Sequence, residues 1–212
     1  FITDVLIYSF APQVPRIANV LLLPLTTPFL TPIDFGVYGV VISYVLGFEV
    51  LKSLGLDIVL LNSYFKEKDT FKITWSKVEA IISIWSLVLA VLVGFVVYLI
   101  LPAEVDEQSK WFIIFAICFP SALFAGLSKV SVLFYQYSQR PTPIVIRSAF
   151  FGILAVAINY YTIVELHLGY KGWFYSGLVV GIITPLSYIY PIWVKEKLYP
   201  VYIISMQELK KM

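Results

Sequence analysis

"GVYGVVISYVLGFEVLKSLGLDIVLL", Gly36 to Leu61, reads as one long apolar helix interrupted by Glu49, Lys52 and Asp57. Crossing about 30 Å of hydrocarbon takes roughly 20 apolar residues in a helix, so the stretch is long enough to span a bilayer. Each ionised side chain at a helix centre costs roughly 2.5–3.5 kcal/mol, and each Leu, Ile, Val or Phe returns about 0.3–0.6. Three charges cost up to about 9 kcal/mol, and the fifteen such apolar residues of the stretch return about 7. Asp57 lies nearer one end, which lowers its share. Insertion is close to neutral, so these charges need partners and a reason to be there.

Working outward, the whole chain has the same character. Of 212 residues, 60% are hydrophobic and 13% charged, and the mean hydropathy is +0.88. Soluble domains run near 45–50% apolar and 25% charged. This balance leaves too little polar surface for a water-soluble globule, and an all-α polytopic membrane protein is expected. A net charge of +2 without a basic block gives no reason to expect a nucleic-acid partner. Cys118 is alone, so there is no disulfide framework. No basic n-region, short apolar run and small-residue cleavage site open the chain, and a signal peptide is not expected.

Six apolar stretches are predicted to span: about 5–29, 36–61, 79–101, 111–136, 144–165 and 172–194. The breaks are chemically sensible. "LTPID" (Leu30–Asp34) offers Thr31 as N-cap, Pro32 at the first helical position and Asp34 near the positive helix end. "YSQRPTP" carries two prolines, "LPAEVDEQSK" is an acidic turn, and "ELHLGYKG" is a short glycine turn. The segments after the second, fourth and sixth spans hold ten Lys and Arg residues; those after the first, third and fifth hold only Lys110 and Lys171. By the positive-inside bias, both ends of this segment and the even loops are expected to be cytoplasmic. Residues 198–212 are amphipathic and basic and are read as a cytoplasmic linker toward a second lobe. The chain is therefore expected to be part of a longer protein.

The ionisable groups inside the spans define the candidate site. Glu49 and Lys52, three apart, are neighbours on a helix and can pair. Glu49 and Asp57 are eight apart, about 80° around a continuous helix, so all three fall on one broad side. Such residues mark a pathway or substrate site, or form a self-neutralised packing pair. In the first span Arg16 lies near mid-depth with Asn19 beside it. Pro12, Pro15 and Pro24 remove backbone hydrogen bonds there and kink the helix. Freed carbonyls survive in a membrane only against protein or water, so this kinked helix suits a wet cavity. Arginine also offers a planar donor fork suited to phosphate; alternatively Arg16 pairs with Glu49 or Asp57. Lys129 lies about 10 Å from the end of its span, within partial reach of snorkelling. His167 is expected to be a solvated loop residue. No Walker A loop, zinc-ligand spacing or serine–histidine–acid set is visible. The expectation is a transporter rather than an enzyme, with no cofactor, no metal and no catalytic residue.

Two stretches carry a family resemblance. "LLLPLTTPFLTPIDFGVYGVV" (Leu21–Val41), followed by "SLGLD", and "YQYSQRPTPIVIRSAFFGILAVAINYYTIVELHLGYKG" (Tyr135–Gly172) resemble the opening and the span four-to-five junction of bacterial polysaccharide, or O-antigen-type, flippases. These belong to the multidrug/oligosaccharidyl-lipid/polysaccharide exporter superfamily. The resemblance implies one six-helix lobe of a MATE-like two-lobed transporter with a cavity between the lobes. It implies a bacterial inner-membrane protein that moves an undecaprenyl-pyrophosphate-linked oligosaccharide to the outer leaflet for polysaccharide biosynthesis. A polysaccharide polymerase and glycosyltransferases are the partners it suggests, beside membrane lipid. Arg16, Asn19, Lys52 and Lys129 would then face the substrate cavity. Glu49 and Asp57 would balance charge or take a cation or proton, and Pro12, Pro15 and Pro24 would let the first helix bend. The within-span charges are three basic against two acidic, which is a weakly cationic cavity. A cation-coupled multidrug exporter and a non-transporting scaffold are the competing expectations.

Overall fold

The computed structural model describes residues 13–67 and 70–202; in the first helix it describes the side chains of Ile17, Ala18 and the residues from Val20 onward. Among the described residues seven α-helices follow one another: α1 Gln13–Thr26, α2 Pro32–Glu49, α3 Asp57–Lys66, α4 Phe71–Ile100, α5 Glu107–Tyr137, α6 Thr142–Tyr160 and α7 Lys171–Tyr188. A 3-10 turn, Thr27–Phe29, follows α1; α6 and α7 each run on into a π-helical segment, Tyr161–Glu165 and Ile189–Lys195. No strand occurs among the described residues. Among the described residues five helices are long and apolar enough to cross a membrane: Pro32–Glu49, Phe71–Ile100, Glu107–Tyr137, Thr142–Glu165 and Lys171–Lys195. That fits a multi-pass membrane protein. Of the first stretch expected, 5–29, only Gln13 onward is described, and its apolar part, Val20–Phe29, is shorter than a span.

The long pair α4 and α5 forms the spine. At 30 and 31 residues they are each about 45 Å long, more than the hydrocarbon thickness, and so extend beyond it or tilt. They approach closely at small residues. A Cβ on Gly126 would lie 2.4 Å from Ser83 Oγ and 2.6 Å from the Glu79 carbonyl. Ser86 Oγ donates to the Ala122 carbonyl at 2.9 Å and Cys118 Sγ to the Ala90 carbonyl at 3.2 Å. Between apolar helices in lipid, such close approach and interhelical hydrogen bonding supply the attraction that water supplies elsewhere. Helix α7 packs on α5, α6 on α7, and α1 on α6, where Leu22 and Thr26 are buried.

The stretch from Gly36 to Leu61 is not one helix. Helix α2 ends at Glu49, residues 50–56 form turns, and α3 restarts at Asp57. Leu54 and Gly55 both have left-handed backbone, φ +50° and +74°, a conformation only glycine adopts without steric cost. The carbonyl freed at Leu51 is satisfied by the Trp85 indole N–H at 2.8 Å. Helix α3 is then pinned to α4 by Trp75, whose indole donates to the Leu60 carbonyl at 3.1 Å and to Ser63 Oγ at 3.0 Å.

Prolines and π segments reset the end of the bundle. Pro191 has no N–H to offer the Ser187 carbonyl four residues back. Arg147 Nη2 takes that carbonyl at 3.2 Å and Nε bonds Ser187 Oγ at 3.0 Å, while the guanidinium sits 4.5 Å from the Tyr188 ring centroid. The helix continues in the wider π register from Ile189, a device that absorbs such a defect.

Candidate functional site

A cavity of about 490 Å³ lies between α2, α4, α5 and α7. Its walls are mostly apolar: Ile42, Val45 and Phe48 from α2, Leu89 and Val93 from α4, Ala116, Ile117 and Phe124 from α5, and Phe174 from α7. Glu49, Lys52, Ser53, Ser128 and Lys129 line one end, and Tyr38 and Trp173 line the other. Along α5 the lining runs from Ala116 to Lys129, about 20 Å of helix rise. The space is long, apolar along its sides and charged at one end, which suits an amphipathic molecule with a charged head.

The charged end is built from two ion pairs. Lys52 pairs with Glu49 across the end of α2, the i, i+3 contact their spacing allows. Lys129 Nζ, from α5, pairs with Asp57 Oδ2 at 2.7 Å, from the first turn of α3. Ser53 Oγ also donates to that oxygen at 3.4 Å, while Asp57 Oδ1 is sealed without a hydrogen bond. The break in the apolar stretch is what makes this possible. With a continuous helix Asp57 would share a face with Glu49; with α3 restarted, it lies at an N-terminus, where a carboxylate is favoured, and reaches α5. Lys129 is therefore held by a partner rather than extended to the membrane surface. All four side chains are about one-third to one-half exposed, so both pairs remain open to exchange.

Glu49, Lys52 and Lys129 thus come together in one cavity, with Asp57 behind Lys129. Pro24 lies within α1, which packs on α6 and does not line the cavity. Pro12 and the side chains of Arg16, Asn19 and Pro15 lie outside the described residues. His167 is an exposed loop residue, as expected; its ring also stacks on Phe29, centroids 5.6 Å apart, at φ +50°. No three His, Cys, Asp or Glu side chains gather as metal ligands among the described residues.

Two features of the site region were not anticipated. Glu79 is only 1% exposed; its Oε1 accepts the Trp193 indole N–H at 2.8 Å and its Oε2 is buried without a partner. It sits at the boundary of an apolar run, where a carboxylate passes for a loop residue. Its apolar neighbours one turn away, Trp75 and Ile82, were the available signal. The second is Asp34, which does more than cap α2. Thr31 and Asp34 form a reciprocal capping box, and Asp34 Oδ1 also accepts the Tyr170 N–H at 2.7 Å. This joins the entry of α2 to the entry of α7, the two helices that carry Tyr38 and Trp173. No protein-family model, curated protein or solved structure matches the chain.

Proposed function

We propose that this chain is one lobe of a lipid-linked oligosaccharide flippase. On this reading it passes an undecaprenyl-pyrophosphate-linked glycan across a bacterial inner membrane, with both ends of the segment cytoplasmic. Residues 1–29 would supply a sixth span, and a second lobe would complete the transporter. The observation that carries the proposal is the cavity with Lys52 and Lys129 set at one end inside the helix bundle.

The chemistry follows from cost. A pyrophosphate cannot enter hydrocarbon alone, because moving an unpaired charge out of water costs many kcal/mol. Two lysines, Lys52 in the turn after α2 and Lys129 within α5, offer opposite charge along the way. Each is already paired, Lys52 with Glu49 and Lys129 with Asp57, so phosphate binding exchanges one anionic partner for another. Exchange keeps the net gain small, which a carrier needs in order to release its cargo. Arg16, on the sequence reading, adds a third cation from the first helix.

The test is transbilayer movement of a fluorescent polyprenyl-pyrophosphate sugar in vesicles holding the full-length transporter. Lys52→Ala and Lys129→Ala are expected to lower the rate per folded, inserted molecule at least tenfold. Wild-type rates in both variants would remove the proposal. A cation-coupled drug exporter is the second reading, favoured by three carboxylates, Glu49, Asp57 and Glu79, in or beside the bundle. It predicts instead that Glu49→Gln or Asp57→Asn abolishes proton- or sodium-driven dye efflux.

A further inference from the structure

The cavity has a second specialised end. Trp173 and Tyr38 line it opposite the lysines, their ring centroids 4.5 Å apart and their planes inclined by 33°. Phe35 and Phe174 back them, at 5.5 Å from Trp173 and 5.7 Å from Tyr38. Both leading residues are half-buried. Neither the Trp173 indole N–H nor the Tyr38 hydroxyl hydrogen-bonds to any described residue, and neither atom is sealed, so both stay open to a partner. An aromatic wall with two unused polar atoms, open to a cavity, is a surface made to meet something both apolar and hydroxyl-rich.

The fold holds this wall in register. Asp34 accepts the Tyr170 N–H; Tyr38 lies one turn beyond Asp34 on α2, and Trp173 lies about one turn beyond Tyr170 on α7. The clamp and the ring pair therefore rise together from the same end of the bundle. Between Tyr38 and Glu49 helix α2 rises about 16 Å. That is longer than a pyrophosphate, so a head group held at Lys52 and Lys129 cannot itself reach the rings.

We infer that Trp173 and Tyr38 form a sugar-binding platform that reads the glycan of a lipid-linked substrate while the lysine end holds its pyrophosphate. The inference rests on the flippase reading. A pyranose ring presents a face of C–H groups carrying slight positive charge, which complements the negative face of an aromatic ring. Its equatorial hydroxyls lie at the ring edge, within range of the indole N–H and the phenol. Lipid tails would use the apolar faces but leave both polar atoms unused. A cavity of about 490 Å³ falls in the range that holds a small ligand, so the platform meets a few sugar units, not a polymer.

Native mass spectrometry in phosphatidylcholine nanodiscs tests this with two probes, undecaprenyl pyrophosphate and the same lipid bearing a short oligosaccharide. The full-length protein is expected to hold the glycosylated lipid at least fivefold more tightly. Trp173→Leu and Tyr38→Leu should erase that gain and leave the bare lipid within twofold of wild type. Trp173→Phe, which keeps a ring, should retain part of it. The platform is overturned if wild type shows no preference or if Trp173→Leu keeps it. It is equally overturned if that variant loses both lipids together, which would make Trp173 a packing residue. If wild type holds the bare lipid no better than Lys52→Ala and Lys129→Ala do, the flippase reading fails and the platform with it.

Discussion

Asp34 Oδ1 accepts the backbone N–H of Tyr170 at 2.7 Å, across 136 residues of chain. Its other oxygen takes the N–H and the hydroxyl of Thr31, at 2.7 and 2.6 Å, so one carboxylate starts α2 and fixes α7 beside it. Gly169 makes room for this. It has φ +54°, and a Cβ there would stand 2.4 Å from Asp34 Oδ1. Hydrogen bonds to a charged acceptor contribute about 1.5–3 kcal/mol each. Asp34→Ala is therefore expected to lower the Tm in detergent by several degrees, at about 2–4 °C per kcal/mol for a chain of this size. Gly169→Ala should do the same by displacing the carboxylate. Because part of each loss comes from the one shared contact, the double variant should lose less than the sum of the two. Additive losses would show that the two residues act independently.

The Lys129–Asp57 pair carries a prediction of its own. Removing one partner leaves a charge inside the bundle with no replacement, and that costs more than the pair itself contributes. Lys129→Ala should thus destabilise the protein more than Lys129→Ala combined with Asp57→Ala. Lys129→Arg should be tolerated, since it keeps the charge and lengthens the reach. Thermal unfolding of the four proteins in one detergent reads the order. If the double variant is the least stable, Asp57 is anchored elsewhere.

How much of this was legible follows from where each signal lies in the chain. The start of α2 could be read because Thr31, Pro32 and Asp34 are local and each position has one steric or electrostatic reason. Glu49 and Lys52 could be paired for the same reason. The break after Glu49 could not: hydropathy continues through it, and its carbonyl at Leu51 is rescued by Trp85, 34 residues away. Once that helix is assumed continuous, Asp57 is placed on the wrong face and its partnership with Lys129 is invisible. Leu21–Val41 and Tyr135–Gly172 each carry their own local pattern. Asp34 and Tyr170 dock them against each other, a fact no local pattern encodes. The aromatic wall was hidden differently, because Tyr38 and Trp173 look like interfacial anchors until the helices are placed side by side.

Asp106 predicts a pH dependence outside the membrane spans. It caps α5, accepting the Ser109 N–H at 2.9 Å and the Ser109 hydroxyl at 2.6 Å, and these bonds hold its carboxyl below the usual aspartate range. A depressed folded-state pKa gives stability that is present above the unfolded value, about 3.9, and lost as pH falls through the lower folded value. Asp106→Ala should therefore lower Tm at pH 7, and the gap to wild type should close as the pH drops below about 4. A gap that persists unchanged at pH 2.5 would mean the side chain acts through packing and not as a charged cap.

Arg147 and Pro191 should rescue each other. The proline withholds an N–H from the Ser187 carbonyl, and Arg147 Nη2 supplies a donor at 3.2 Å in its place. Arg147→Met removes the donor to that carbonyl and to Ser187 Oγ, a loss of about 1–3 kcal/mol. Arg147→Lys should recover only part of it, because an ammonium cannot reproduce a planar fork that reaches Ser187 Oγ and the carbonyl together. Pro191→Ala returns a backbone donor to the helix, so adding it to Arg147→Met should restore much of the lost stability. The same change alone should straighten the Ile189–Lys195 segment toward ordinary α register and weaken the Trp193 indole contact with Glu79, 2.8 Å in the present geometry. Thermal unfolding reads the rescue, and a shift in Trp193 fluorescence, measured with the other four tryptophans replaced by phenylalanine, reads the register. If Pro191→Ala fails to rescue Arg147→Met, the guanidinium's hold on Tyr188 and Ser187 Oγ is what joins α6 to α7, and the proline is incidental to it.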